Sequence, residues 1–300
     1  MNITISHLTK KFAATLAVDD LSIEVPAGTI FGLLGPNGAG KTTTFKCMLG
    51  LARANHGTVR FDGKTLAPPL FEGIVYLPER SVLYDWMRVG ELVEMNRRAF
   101  KRFKAERALE LLKTFGIDAN KRCGSLSKGM KTAVAVAAAF AREADLLVLD
   151  EPTSGLDPVN QRHVLNLMVN EAARGATVIF SSHQIGQVER AAERIAILDR
   201  GKLVLEGAVD DLKADRKIVE AIFPDEHYSL NGLSGDKRIG RIDRSGRIVR
   251  VVALDGANDL ARRLEEAGGT GIRVVDLNLE DIFLYAVAPT SARADVVEGS

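Results

Sequence analysis

Polar and apolar positions alternate in two short stretches near the start of the chain, around Ile3–Leu8 and Asp20–Val25, and the turn residues Pro26-Ala27-Gly28 follow. A period of two predicts a pair of antiparallel strands. After that the pattern changes. Thr29–Leu34 (TIFGLL), Ile74–Leu77, Ala144–Asp150 (ADLLVLD) and Ala176–Ser181 (ATVIFS) are nearly unbroken apolar runs, as strands buried on both faces require. Stretches of helical spacing separate them: Thr43–Leu51, residues 87–115, the alanine-rich Thr132–Ala141, and Pro158–Arg174. Strands recurring between helices predict an α/β fold with a largely parallel sheet. Gly57–Phe61 with Asp62-Gly63-Lys64 reads as a short hairpin, and residues 195–207 as another, turning at Asp199-Arg200-Gly201.

Near residue 217 the rhythm shifts again. Ile218–Phe223, a polar glycine-rich section at 231–246, Ile248–Leu254, a helix at Ala257–Glu266 and Ile272–Asp276 predict a small α+β unit. Asn278, three residues before Asp281, reads as the cap of a final helix running to Ala288, and the tail from Pro289 reads as frayed. The expected domains are therefore 1–215 and 216–300.

Composition narrows the function classes. Apolar residues at 46% and charged residues at 26% are ordinary for a globular chain of 300 residues, and a net charge of +1 gives no sign of an extended nucleic-acid surface. The Arg and Lys residues between 97 and 107 alternate with Glu106 and Glu110, as on a solvated helix, so no nucleic-acid partner is expected. Cys47 and Cys123 are too few and too dispersed for a disulfide framework, which points to a reducing compartment. The start, MNITISHLTKKF, lacks the basic-then-apolar order of a signal peptide. Thr132–Ala141 is too short to span a bilayer and is followed by Arg142 and Glu143.

The chemistry centres on GPNGAGKTT at 35–43, comprising Gly35, Pro36, Asn37, Gly38, Ala39, Gly40, Lys41, Thr42 and Thr43. It fits G-x-x-x-x-G-K-[ST], a loop whose backbone N–H groups converge on phosphate because its glycines leave room. An apolar strand before it and a helix after it complete an anion site. Lys41 is then expected to reach the β- and γ-phosphates of ATP, and Thr42 to hold a Mg2+ ion bridging them. The second signal is LLVLDEPTSGLDP at 146–158: a buried strand delivers Asp150 to the ligand end of the sheet, where it is expected to hold Mg2+ through water. Glu151, one residue on, stands where a carboxylate polarises the attacking water.

These motifs, in this order, resemble the ATP-binding-cassette (ABC) ATPases, the nucleotide-binding subunits of membrane transporters, over about residues 2–210. The resemblance implies a P-loop NTPase fold with a helical signature subdomain at about 80–145, followed by the small α+β domain. It implies that Glu151 is the general base and that TSGLDP, ending in Asp157, is a dimer-contact loop. His183, in SSH at 181–183, corresponds to the residue that senses the γ-phosphate. SLSKGM at 125–130 matches the signature motif usually read LSGGQ, with Ser127 and Gly129 retained and Lys128 and Met130 replacing the commoner Gly and Gln. In the family this motif serves the ATP held by the opposite subunit, so a head-to-tail pair of ATPase subunits is implied. Phe12 matches the aromatic that stacks on adenine. Glu79 stands where Gln is usual and suits Mg2+ or a water as a ligand.

Glu79, Lys128, Met130 and the extra C-terminal unit resemble the branch of drug, sodium and other exporters with separately encoded permeases. NLEDIFLYAV in that last unit carries its weaker likeness to an accessory or dimer-supporting module. The implied function is ATP hydrolysis driving a membrane permease from the cytoplasmic side of the cell membrane. Tyr84 and Trp86 are then either exposed permease contacts or buried anchors of a helix start. A non-transport ATPase of the same class, acting in translation or DNA repair, is the alternative. It typically carries two cassettes or a long coiled-coil insertion, and this chain shows neither. A small-molecule kinase would leave SLSKGM and SSH unexplained.

Overall fold

The four apolar runs and the first arm of the 195–207 hairpin lie side by side as parallel strands in one sheet of the computed structural model. It describes residues 1–67, 71–80, 83–225, 233, 236 and 238–287, without the side chains of Asp215 and Tyr285. The strands are β3 (Ile30–Leu34), β5 (Ile74–Leu77), β6 (Leu146–Asp150), β7 (Thr177–Ser182) and β8 (Arg194–Asp199), and β9 (Lys202–Ala208) completes the order β5-β6-β7-β3-β8-β9. Every residue of β3, β6 and β7 is buried, which accounts for their unbroken apolar pattern. Parallel register sets Asp150 beside Ser181 and Leu34 beside Ser182, so the C-terminal ends of three strands open at one edge.

A second sheet, antiparallel in the order β2-β1-β4, comprises β1 (Ile3–Phe12), β2 (Thr15–Val25) and β4 (His56–Phe61). The first two strands run further than their alternation predicted. KKFAATLAV is the tip of their hairpin, with Phe12 paired to Thr15 and Ala13 at φ 47° in the turn. Gly57–Phe61 pairs with β1 instead of forming a full hairpin with Lys64, to which Phe61 makes only a single bridge. The chain from the phosphate loop enters α1 (Lys41–Met48), whose Phe45 and Met48 pack into the core shared by both sheets.

The helical stretch expected at 87–115 is two helices, α2 (Val89–Ala99) and α3 (Ala105–Thr114). Tertiary contacts break it: Phe103 is buried, Phe100 receives the Arg142 guanidinium at 3.8 Å from its ring centroid, and the Lys104 N–H donates to the Ala141 carbonyl at 2.8 Å. The basic run carries its own counter-charges. Arg97 and Arg98 pair with Glu94, Lys101 with Glu72, Arg102 with Asp145, Lys104 with Glu143 and Arg107 with Glu171. The signature segment leads into α4 (Lys128–Phe140), the alanine-rich helix, and the loop after β6 leads into α5 (Pro158–Ala173). Cys47 and Cys123 are both free and buried.

Glu171, 3% exposed on α5, accepts from Arg107 of α3 and from Arg174 at 2.6 Å. Removing a buried partner strands the opposing charge, so Glu171→Ala is expected to cost about 3 kcal/mol of stability. Urea unfolding monitored by circular dichroism checks this; an unchanged midpoint would show that the pair contributes nothing net.

Contacts divide the chain into Met1–Glu206 and Gly207–Ser300, upstream of the boundary expected at 215/216. The displaced segment is α7 (Val209–Asp215), which packs on α9 (Leu279–Val287) of the second unit. That unit has an antiparallel sheet in the order β11-β12-β10-β13, from β10 (Lys217–Ile222), β11 (Ile239–Ser245), β12 (Ile248–Ala253) and β13 (Thr270–Asp276). Leu260 and Leu264 of α8 (Ala257–Glu266) join Val219, Ala221, Val249 and Val251 in its core. The Asp281 N–H donates to Asn278 Oδ1 at 2.8 Å, the expected cap of the last helix. The tail from Pro289 and part of the 231–246 section lie outside the described residues.

Candidate nucleotide site

The phosphate loop is held in shape by its backbone. Gly40 has φ 104°, and a Cβ there would sit 2.4 Å from the Ala17 carbonyl, so no other residue fits. The Gly201 N–H donates to the Ala39 carbonyl at 3.0 Å, tying the β8–β9 turn to the loop. Lys41, 7% exposed, donates to the Gly35 and Pro36 carbonyls at 2.7 and 3.2 Å. Burial pushes its ammonium below the usual lysine range, partly offset by the Glu151, Asp150 and Glu79 carboxylates. A desolvated cation satisfied by two neutral carbonyls gains most from an arriving anion.

Opposite it, the Asp150 carboxylate accepts from Thr42 Oγ1 at 2.7 Å through one oxygen and from Ser181 Oγ at 2.6 Å through the other. Ser181 Oγ also accepts from the Glu151 N–H at 3.0 Å, which helps fix Glu151 in its left-handed conformation at φ 50°. The Glu151 side chain is 11% exposed, and its Oε2 accepts from His183 Nδ1 at 2.8 Å. An ionised carboxylate only accepts, so this pairing makes Nδ1 the donor.

These groups line one cleft of about 600 Å³, with walls formed by Asn37–Thr43, Glu79, Asp150, Glu151, Ser154, His183, Thr15–Ala17 and Arg200. A cradle of backbone N–H groups at a helix start, closed by a buried ammonium, suits a nucleotide's phosphates. The hydroxyl–carboxylate pair of Thr42 and Asp150 suits Mg2+, which takes few protein ligands and shares phosphate oxygens. Among the described residues no cluster of three or more His, Cys, Asp or Glu side chains offers an all-protein metal cage.

A family model described as ABC transporter matches residues 18–154. The chain is 30% identical over 285 residues to the ABC transporter ATP-binding protein YtrB of Bacillus subtilis (strain 168), covering 94% of this chain and 97% of that protein. It is 32% identical over 295 residues to the Nod factor export ATP-binding protein I of Burkholderia orbicola (strain AU 1054), covering 93% and 94%. This chain belongs to the ABC transporter family. Among solved structures, an ATP-binding subunit of an ABC transporter superposes with TM-score 0.65 at 30% identity, covering 71% of this chain and 92% of that one. The mixed α/β architecture is thus that of an ABC ATPase, and the protein is an ATP-binding, ATP-hydrolysing subunit.

The ABC cassette brings together most, but not all, of the residues its sequence nominated. Gly35 and Pro36 lie behind the cleft, contributing carbonyls to Lys41. Phe12 is not among the lining residues: it is 49% exposed at the hairpin tip, with Lys10 Nζ 4.5 Å from its ring centroid. The hairpin presents Thr15, Leu16 and Ala17 instead. Ser127 and Gly129 also lie outside the cleft. Ser127 caps α4 by accepting from the Met130 N–H at 3.2 Å, and a Cβ on Gly129 would come within 2.2 Å of the Gly155 carbonyl.

Sequence reading missed Ser181, Ser154, Arg200 and Tyr76. A serine ending a buried strand carries no periodic signal, and only the register beside Asp150 gives it a role. The Tyr76 hydroxyl is enclosed without a hydrogen-bond partner among the described residues. Burial first, then the Asp150 and Glu79 charges, push it up to about 12, so it stays a neutral donor beside the acidic end of the cleft.

Proposed function

We propose that this ABC ATPase powers a separately encoded membrane permease, as one of two subunits paired head to tail around two ATP molecules. The observation that carries the reading is the convergence of Lys41, Thr42, Asp150, Glu151 and His183 on one cleft that Ser127 and Gly129 of the same chain do not reach. A second subunit supplies the missing anion-binding end. Glu151 takes the proton of the attacking water, and His183 holds that carboxylate in place and senses the γ-phosphate. Lys41 neutralises charge on the β- and γ-phosphates. Mg2+, if bound, would supply positive charge to offset the charge that develops in the transition state. Thr42 and Asp150, with Glu79 at the cleft edge, are the residues to hold it. Phe12 at the hairpin tip is read as the adenine contact.

The permease surface is read at Tyr84 and Trp86, which are 49% and 67% exposed with ring centroids 5.9 Å apart. Exposure supports the contact role over that of buried anchors. No helix among the described residues is long and apolar enough to cross a membrane; attachment to the cytoplasmic face is read as made through the permease. The relative's printed role in export supports outward transport and gives no support to a translation or DNA-repair role. The second unit, with its own core, is read as an accessory module supporting the dimer.

Lys41→Ala tests the site. Losing a charge-assisted contact to phosphate is expected to weaken ATP binding about 10- to 100-fold. Titration with a fluorescent ATP analogue reads this directly, and unchanged affinity and turnover would remove Lys41 from the phosphate site.

A further inference from the structure

One buried amide links the two segments that carry Glu151 and His183 to the first turn of α5. Gln187 lies on α6 (Ile185–Ala191), the short helix after His183, and is 7% exposed. Its Oε1 accepts from Thr153 Oγ1 at 2.6 Å, and Thr153, 2% exposed, stands two residues after Glu151. Its Nε2 donates to Gln161 Oε1 at 3.0 Å and to Gln184 Oε1 at 2.7 Å. Gln184 directly follows His183. Gln161 Nε2 in turn donates to the Leu156 carbonyl at 3.0 Å, next to Asp157, which caps α5 by accepting from the Val159 and Asn160 N–H groups.

An apolar side chain would fill this space at lower desolvation cost. An amide is needed where two donors and an acceptor must stand at fixed places, and here both donors and one acceptor site are used. We infer that Gln187 is a positioning residue for ATP hydrolysis, holding the Glu151 and His183 segments in register with the loop that ends at Asp157. The inference rests on the roles proposed above for Glu151 and His183. Its chemistry distinguishes Gln from Glu. A carboxylate at 187 only accepts, so it would face the oxygens of Gln161 and Gln184. Turning Gln161 over to donate would forfeit its bond to Leu156.

The full-length protein tests this with Gln187→Met, Gln187→Glu, Thr153→Val and the Thr153→Val/Gln187→Met pair, each measured for kcat, KM, nucleotide Kd and thermal midpoint. Gln187→Met is expected to lower kcat by about tenfold or more while Kd stays within about twofold. The double variant should be no worse than its worse single, because both remove one network. Gln187→Glu should regain kcat as pH falls and its buried carboxyl, protonated, becomes a donor again. A merely structural Gln187 would lower the thermal midpoint and leave the pH profile unchanged. Wild-type kcat in folded Gln187→Met, or additive losses in the pair, would overturn the inference. If Gln187→Met does not fold, a Gln187→Glu profile parallel to wild type overturns it equally. Glu151→Gln is the control: if it keeps turnover, the site assignment fails, and if it loses turnover while Gln187→Met does not, only this inference fails.

Discussion

Replacing Glu151 by Gln is expected to cut steady-state ATP turnover by about 100- to 10,000-fold while leaving ATP affinity nearly unchanged. The substitution keeps side-chain volume and an acceptor oxygen for His183 Nδ1, now 2.8 Å from Oε2. It also leaves intact the bond from the residue 151 N–H to Ser181 Oγ at 3.0 Å, so the left-handed backbone at this position has no reason to change. What disappears is the negative charge able to accept a proton from water. Lys41, Thr42 and Asp150 remain to hold nucleotide, so the ATP-bound pair of subunits should accumulate, visible by gel filtration with ATP. Turnover near wild type in a coupled assay would sink the assignment. Loss of ATP binding together with turnover would instead make Glu151 part of the phosphate cradle.

That experiment probes a site whose members were legible to different degrees. Lys41, Thr42, Asp150 and Glu151 could be read because a glycine loop and a buried strand end are local patterns. Their partners could not. Ser181 meets Asp150 only through the parallel register of two strands thirty-one residues apart, and Gln187 reaches Thr153 only once α6 and the loop after β6 are in place. Buried strands were visible for a comparable reason: an unbroken apolar run has few alternatives in a parallel sheet. The errors fell where tertiary contacts overrode local preference. The β1–β2 hairpin turns at Ala13, which has positive φ but no Gly or Asn to announce it. The break between α2 and α3 has neither Pro nor Gly, and is imposed by Phe100, Phe103 and the Lys104 N–H finding partners elsewhere. The strand β11 (Ile239–Ser245) was overlooked because its sequence, IGRIDRS, is that of a polar edge.

Mixing a Lys41→Ala subunit with a Ser127→Arg subunit is expected to restore activity that neither has alone. Within one chain Ser127 and Gly129 are not among the residues lining the cleft, and their helix is fastened to the loop after β6: Gly129 packs against Gly155, and Thr132 Oγ1 donates to the Ser154 carbonyl at 3.1 Å. If each cleft is completed by the other subunit's Ser127 and Gly129, the mixed pair has one site carrying both defects and one carrying neither. Random pairing at equal concentrations makes half the dimers mixed, so about a quarter of wild-type sites should be intact. Activity above the sum of the separate mutants is the expected reading. Crosslinking provides the geometric arm, using cysteines at the exposed positions Asn37 and Ser127 while native Cys47 and Cys123 stay buried. ATP should promote a bond between chains, seen as a dimer on a denaturing gel. A bond formed within one chain would mean that Ser127 reaches its own phosphate loop, and the head-to-tail arrangement would have to be abandoned.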